Sequence, residues 1–377
     1  MPVVSLPIHP SPTQRASGGP APAIDRSKPY PSCRFLETGV AFNRRSLNAC
    51  LVIHHGRGFP HLCDYNGGPI DVDEVLAARA RIIAENQQGG HEACRGCRHL
   101  VTRKWREPAH AIGMIFIAHF TRCNIECNYC YLQTQDPKSY ADGATPYQIL
   151  PELERLIDEG RLAPNVAVDW GGGEPTIYPE FDRVLERIIR FGGTMWVHTN
   201  GTRLPKPLTQ GLSTKRLHIL CSVDAGTAQT YKQMKVKDLF EIVWRNLEQY
   251  HRLGSRVVLK YIMKDENCSE PELRAFLARA VQSGIKDLLL DIDYDYPDPS
   301  PSVVNGLRLL YREATARGIY TTFGSCGANF TPEIDVEGRF KARTVRQGLG
   351  DLTLYARDRL AFARSRFRLA RRRLRNR

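Results

Sequence analysis

An α/β fold built on a mostly parallel sheet is predicted by three features of the sequence. Six short strand-like apolar runs occur between Ala111 and Ile292, amphipathic helical stretches separate them, and parallel neighbours need such crossover connections. Six strands fall short of the eight of a closed (β/α)8 barrel, so the expected architecture is a partial (β/α)6 TIM-type barrel. A Cys-rich module precedes it and a basic amphipathic helix follows it.

Taken in order, residues 1–32 hold eight of the 24 prolines amid Ser, Ala and Gly, without hydrophobic periodicity, and are expected to form a disordered leader. Residues 33–105 carry five cysteines, several glycines and one helical stretch near Val72–Asn86, too Cys-dense and strand-poor for an ordinary core. Residues 106–330 form the predicted barrel. Its strands are Ala111–His119, Val166–Trp170, Thr194–His198, Leu217–Ser222, Arg256–Ile262 and Asp287–Ile292. Helical patterns lie at Pro146–Glu159, Pro179–Phe191, Asp238–Leu253 and Glu270–Ser283, while Thr199–Arg216 is less clearly helical. Residues 331–377 read as a linker and tail. Chemistry in such folds belongs to loops at the C-terminal ends of the strands.

The chain has 377 residues, 42% of them hydrophobic and 25% charged, with a formal net charge of +13. Taken as a whole, that charge invites a nucleic-acid or anionic-membrane partner. Its position changes the reading: residues 341–377 hold 13 basic side chains against Asp351 and Asp358, which leaves the body nearly neutral. No run of 18 apolar residues exists and no charged start leads into an apolar core, so neither a transmembrane helix nor a secretion signal is expected. Eleven cysteines, an odd number in a long chain, point to metal or redox chemistry in a cytoplasmic protein rather than to a disulfide framework.

After the first barrel strand the sequence reads Thr121-Arg122-Cys123-Asn124-Ile125-Glu126-Cys127-Asn128-Tyr129-Cys130-Tyr131. Three cysteines at C-x3-C-x2-C in one loop can converge on one metal centre. Three thiolates leave a four-iron cubane with one iron lacking a protein ligand. Spacing alone also accommodates zinc with a remote fourth ligand, or buried free thiols.

This loop resembles the signature of the radical S-adenosylmethionine (radical SAM) superfamily, with an aromatic, Tyr129, before the third cysteine. Gly172-Gly173-Glu174-Pro175 after the second strand resembles that family's GGEP motif, which receives the methionine amino group. His198-Thr199-Asn200-Gly201 and Ser222-Val223-Asp224-Ala225 stand where family members contact ribose and the methionine carboxylate. Without that context they are a turn pair and helix caps. The fifth-strand glycine motif of some members is absent, with Lys260 and Tyr261 there instead. The resemblance covers about half the chain. It implies a [4Fe-4S] cluster on Cys123, Cys127 and Cys130, and S-adenosylmethionine bound near Tyr129, Gly172, Gly173, Glu174, Asn200, Ser222 and Asp224. It also implies reductive cleavage to a 5′-deoxyadenosyl radical that abstracts hydrogen from substrate, with an electron donor such as flavodoxin or ferredoxin. No catalytic residue beyond these is assigned.

Cys50, Cys63, Cys94 and Cys97 form C-x12-C-x30-C-x2-C, which suits structural zinc or a second iron–sulfur cluster. Auxiliary-cluster modules of the superfamily, the SPASM and twitch types, use similar spacing but usually follow the barrel, and here the module precedes it. Cys33 is a spare candidate, His54, His55 and His99 are alternative ligands, and Cys221, Cys268 and Cys326 read as packing residues. Similarity to radical proteins of polysaccharide systems and of peptide maturation implies a glycan- or peptide-type substrate. Asp291, Asp293 and Asp295 with intervening aromatics could line its site or be solvated loop charge.

In the tail, Leu352, Ala356, Leu360, Ala363, Phe367, Ala370 and Leu374 recur at helical spacing among arginines. Its apolar stripe favours an anionic membrane surface over nucleic acid, with peripheral attachment at the inner face. A non-catalytic zinc or iron–sulfur interaction protein and an RNA-modifying radical SAM enzyme are the alternatives.

Overall fold

The computed structural model describes residues 22–43, 45–52, 58–65, 69–97, 99–130, 132–133, 148–254, 256–293 and 299–324. The readings made for residues 1–21 and 331–377, and for His54, His55, Asp295 and Cys326, lie outside the described residues.

Twelve strands are described: β1 (Tyr30–Ser32), β2 (Gly39–Asn43), β3 (Ser46–Asn48), β4 (His61–Asp64), β5 (Val101–Arg103), β6 (Ile112–Ile117), β7 (Leu162–Trp170), β8 (Thr194–Thr199), β9 (Leu217–Ser222), β10 (Val257–Met263), β11 (Asp287–Ile292) and β12 (Tyr320–Phe323). The α-helices are α1 (Arg34–Thr38), α2 (Val72–Gln87), α3 (Ile149–Asp158), α4 (Phe181–Phe191), α5 (Lys206–Ser213), α6 (Ala228–Lys235), α7 (Phe240–Arg252), α8 (Glu270–Gln282) and α9 (Pro301–Ala316). Ten strands form one sheet in the order β12-β11-β10-β9-β8-β7-β6-β2-β3-β4. From β12 through β6 to β2 every pairing is parallel, and β3 and β4 add antiparallel strands at one edge.

The α/β class and the parallel sheet hold. All six expected strands are present, and β12 adds a further parallel strand beyond them. The Cys-rich segment also supplies β2, which pairs with β6 and extends the same sheet. Between Thr199 and Arg216 lies α5, and α6 and α9 are helices without a sequence expectation. Within the stretch expected as a leader to residue 32, the described residues near its end are ordered by contacts. Tyr30 is buried, its hydroxyl and Arg26 both hydrogen-bond Glu37 at 3.0 and 2.9 Å, and β1 pairs antiparallel with β5.

Sheet burial alternates with period two. In β8, Met195, Val197 and Thr199 are buried, while Thr194, Trp196 and His198 are half-buried. The pattern repeats in β9 and β11. One face is therefore closed by the helices and the other stays partly open. The closed face holds Trp170, Tyr231, Trp244, Tyr250, Tyr261 and Phe276, each fully buried. Burying a large apolar side chain of this kind contributes about 1.5–3 kcal/mol.

Helix ends follow local chemistry. Asp71 accepts from the amides of Asp73 and Glu74 at 2.9 and 3.1 Å to start α2, and Ser300 accepts from Val303 N–H at 3.2 Å ahead of Pro301 in α9. From within α2, buried Arg79 donates to the carbonyls of Gly39, at the start of β2, and Ala111, just before β6. One helix thus fixes the alignment of the Cys-rich segment with β6.

Candidate functional site

The cysteine loop leaves the C-terminal end of β6 and packs against the loop that leaves β7. Gly173 N–H donates to Phe120 O at 2.8 Å and Glu174 N–H to Arg122 O at 2.8 Å, a main-chain ladder between the two motifs. Gly172 has φ +90, and a Cβ there would sit 2.7 Å from Phe120 O. A Cβ on Gly173 would overlap the Arg122 carbonyl. Only glycines let these loops approach so closely. Gly173→Ala is therefore expected to destabilise the fold by about 3 kcal/mol, read from denaturant midpoints, because backbone rather than a flexible side chain must yield.

Glu174 is buried and fully engaged. It accepts from Thr176 N–H and Oγ1 at 3.1 and 2.6 Å, from Thr199 Oγ1 at 2.8 Å and from Asn200 N–H at 2.7 Å. Burial raises its pKa, opposed by these hydrogen bonds. The carboxylate thus joins the ends of β7 and β8 and sets Asn200. Asn200 Nδ2 lies 2.7 Å from Asn124 Oδ1 and 3.6 Å from Cys123 Sγ, and Asn200 Oδ1 accepts from Thr202.

A second buried network holds the loop's other end. Asp224, at φ +57, accepts from Tyr129 Oη, Lys235 Nζ and Ile262 N–H at 2.5, 2.5 and 2.6 Å. Lys235 also donates to the Tyr129 hydroxyl, and Asn128 N–H donates to Met234 O at 3.0 Å. Lys235 and Asp224 are 1% and 0% exposed. Burial disfavours the ammonium, but Asp224, Cys127 and Tyr231 together outweigh it and raise the Lys235 pKa. Tyr129 is pushed up by burial and by Asp224. The Asp224 carboxylate is thus turned inward, supporting the cysteine loop through Tyr129. Ser222 ends β9 half-buried on the open face beside Lys260.

Cys123, Cys127 and Cys130 are half-buried, and Cys130 N–H closes on Cys127 O at 3.1 Å. Burial pushes the Cys123 thiol up to about 12 against the opposing pull of Ile125 N–H and the Asn200 amide. Burial also raises Cys127, opposed chiefly by Lys235. A cationic group and amide donors facing thiols suit an anionic iron–sulfur group. The donor set thus fits a cluster held by three cysteines. Among the described residues, no three His, Cys, Asp or Glu side chains are already grouped to hold a single metal ion.

Upstream of this loop, His119 is 1% exposed and burial pushes its imidazole down to about 3 from 6.5. Below pH 6.5 the unfolded chain gains a proton that the folded one refuses. Stability is expected to fall by roughly 1.4 kcal/mol per pH unit from pH 6.5 toward pH 3. His119→Phe should flatten that part of the urea-midpoint profile of the metal-free chain.

On the open face, His198 Nε2 and Asp169 Oδ1 are 3.0 Å apart, and Lys264 Nζ and Asp293 Oδ2 2.7 Å apart. Both pairs lie near C-terminal strand ends. Asp291 and Asp293, expected on one face, differ in setting: Asp293 is buried against Lys264 and Asp291 closes on Gly324.

The other cysteines divide. Cys33, Cys50, Cys94 and Cys97 line one cavity, and Cys63 in β4 is not among its lining residues. Cys221 is fully buried in β9, and Cys268 lies beyond β10. His99 stacks edge-on to Phe35 with ring centroids 5.3 Å apart. Sequence reasoning missed Lys235, a single basic residue whose role only the tertiary fold creates. It also missed Arg79.

The sequence model of the Radical SAM superfamily matches residues 117–277. The GTP 3′,8-cyclase of Vibrio atlanticus is 24% identical over 157 residues, covering 41% of this chain and 46% of that protein. The S-adenosyl-L-methionine-dependent tRNA 4-demethylwyosine synthase of Pyrococcus horikoshii is 26% identical over 181 residues, covering 41% and 53%. The chain thus spans about half the length of these curated relatives. Streptococcus suis SuiB superposes with a TM-score of 0.43 at 14% identity, covering 67% of this chain and 54% of its own. The matched residues run from the end of β6 into α8 and contain the cysteine loop, the Gly-Gly-Glu-Pro turn, Asn200 and Asp224, so this chain carries a radical SAM superfamily domain.

Proposed function

We propose that the chain is a radical SAM enzyme that reductively cleaves S-adenosylmethionine and abstracts hydrogen from a glycan- or peptide-type substrate. The observation that carries this reading is the main-chain ladder between the Cys123–Cys130 loop and Gly173-Glu174. Cys123, Cys127 and Cys130 would hold the [4Fe-4S] group, which supplies one electron to the sulfonium when bound. The chain's own residues position and insulate. Glu174 fixes Asn200 beside Cys123, while Lys235 and Asp224 fix Tyr129 beside Cys127. Gly172 and Gly173 hold the turn's backbone directly against the cysteine loop, with Ser222 at the rim. The open face, with His198–Asp169, Trp196 and Lys264–Asp293, offers hydrogen-bonding and stacking groups suited to sugar hydroxyls or a peptide.

The test is anaerobic reconstitution followed by dithionite and S-adenosylmethionine, with 5′-deoxyadenosine measured by chromatography. Release of the nucleoside supports the reading. A colourless protein that releases none overturns it in favour of a non-catalytic metal-binding protein. Deuterium transfer from labelled candidate peptides or glycans into 5′-deoxyadenosine then identifies the substrate class.

The reading includes a second metal centre in the Cys-rich segment, a reduced flavodoxin or ferredoxin as electron donor, and the arginine-rich tail on an anionic bilayer. No helix among the described residues is long and apolar enough to cross a membrane. In liposome flotation the full chain is expected to float with anionic vesicles, and a chain truncated before Arg343 to stay behind. Equal behaviour would eliminate the surface-helix reading.

A further inference from the structure

We propose that Cys33, Cys50, Cys94 and Cys97 form a tetrathiolate centre for a thiophilic metal group, an iron–sulfur cluster or zinc, and that Cys63 takes no part. The proposal deepens the second-centre part of the functional reading and is independent of cofactor cleavage. Four residues far apart in the chain, C-x16-C-x43-C-x2-C, converge on one cavity under Phe35 and Leu36.

Three of the four thiols, those of Cys33, Cys50 and Cys94, meet amide chemistry suited to a bound thiolate. Cys33 is the N-cap of α1, and Leu36 N–H donates to its Sγ at 3.4 Å. The Val52 amide faces Cys50. Cys94 and Cys97 bracket a tight turn closed by Cys97 N–H to Cys94 O at 3.0 Å, and Gly96 at φ +71 supplies the left-handed residue the turn requires. Cys50 feels the charge of all three other thiols, and Cys94 that of Cys33 and Cys97, so the four are mutual neighbours.

A second observation points to an anionic occupant. Asn86 is buried, its Oδ1 accepts from His91 N–H at 3.0 Å, and its Nδ2 has no hydrogen-bond partner. That amide lies close enough to Cys94 to favour its thiolate. A buried donor left over beside a thiol is satisfied once the sulfur carries charge, and four clustered thiolates, three of them buried, need a metal to balance them. Soft thiolate donors select zinc or iron–sulfur groups.

Cys63 faces other chemistry. It sits in the β3–β4 hairpin opposite Leu47, and its charged neighbours are Glu74, Asp64 and Asp71. The metal-free cavity is ≈ 10 Å³, about one water, and no three thiols stand around one ion as they lie. Loading therefore moves the thiols outward, with four protons released as four thiolates bind.

The test uses the full chain carrying Cys123→Ala, Cys127→Ala and Cys130→Ala, which removes the radical-domain site. After reconstitution with iron and sulfide, or with zinc alone, iron, acid-labile sulfide and zinc are counted. The expected result is about four irons with sulfide, or one zinc, per chain. Adding Cys33→Ser, whose hydroxyl keeps the cap on α1, should lower that metal content at least tenfold with unchanged far-UV circular dichroism. Adding Cys63→Ala should leave it unchanged. Metal loss on Cys63→Ala with retention on Cys33→Ser overturns the ligand set, and no metal in the parent variant overturns the centre. Neither outcome touches the cleavage assay on the native chain, so the two readings fail separately.

Discussion

Alanine at Cys123, Cys127 and Cys130 together is expected to reduce 5′-deoxyadenosine release to the rate without protein and to remove about four irons per chain. The three residues sit on one loop anchored at both ends, by Gly173 and Glu174 backbone donors on one side and by Tyr129 and Asn128 on the other. Loss of the sulfurs should leave those anchors intact, so the unfolding midpoint of the metal-free chain should move by less than 1 kcal/mol, as for substitutions that break no buried network. Activity loss without fold loss separates a ligand role from a structural one. Persistent cleavage would mean that the loop does not hold the reactive centre.

Lys235→Met is expected to destabilise the metal-free fold by about 3–5 kcal/mol, read as a lower urea midpoint at constant slope. Methionine fills similar space but leaves Asp224 as an uncompensated buried carboxylate still bonded to Tyr129 and Ile262 N–H. Pairing it with Asp224→Asn should recover part of the loss, because both charges then go together. Lys235 also faces Cys127, whose thiolate it favours. The single variant keeps the Asp224 charge, which disfavours that thiolate, and should therefore load iron more slowly than Asp224→Asn/Lys235→Met once both are compared at equal folded fraction.

The features readable in the sequence were those written in contiguous residues. The cysteine loop and the Gly-Gly-Glu-Pro turn each occupy one short segment. Strands such as Thr194–Thr199 announce themselves by alternating burial. What escaped depends on distant partners. Ala228–Lys235 is a polar sequence whose helix is held by Tyr231, Met234 and Lys235 turned into the interior. Tyr320–Phe323 has only two large apolar residues in a row of four, and it becomes a strand by docking on β11. Five upstream cysteines offer several four-member sets by spacing. The fold separates them, because the β3–β4 hairpin carries Cys63 toward the acids of α2 while α1 brings Cys33 under the Cys94–Cys97 turn.

The parallel pairing of β2 with β6 has a practical consequence for anyone trimming this protein. A chain begun near residue 106 would retain the whole superfamily match yet bare the β6 flank, from Met114 to Ile117, that β2 now covers. An apolar edge of that length recruits strands from other molecules. The upstream segment therefore acts as the guard strand of the parallel sheet as well as the carrier of its own cysteines.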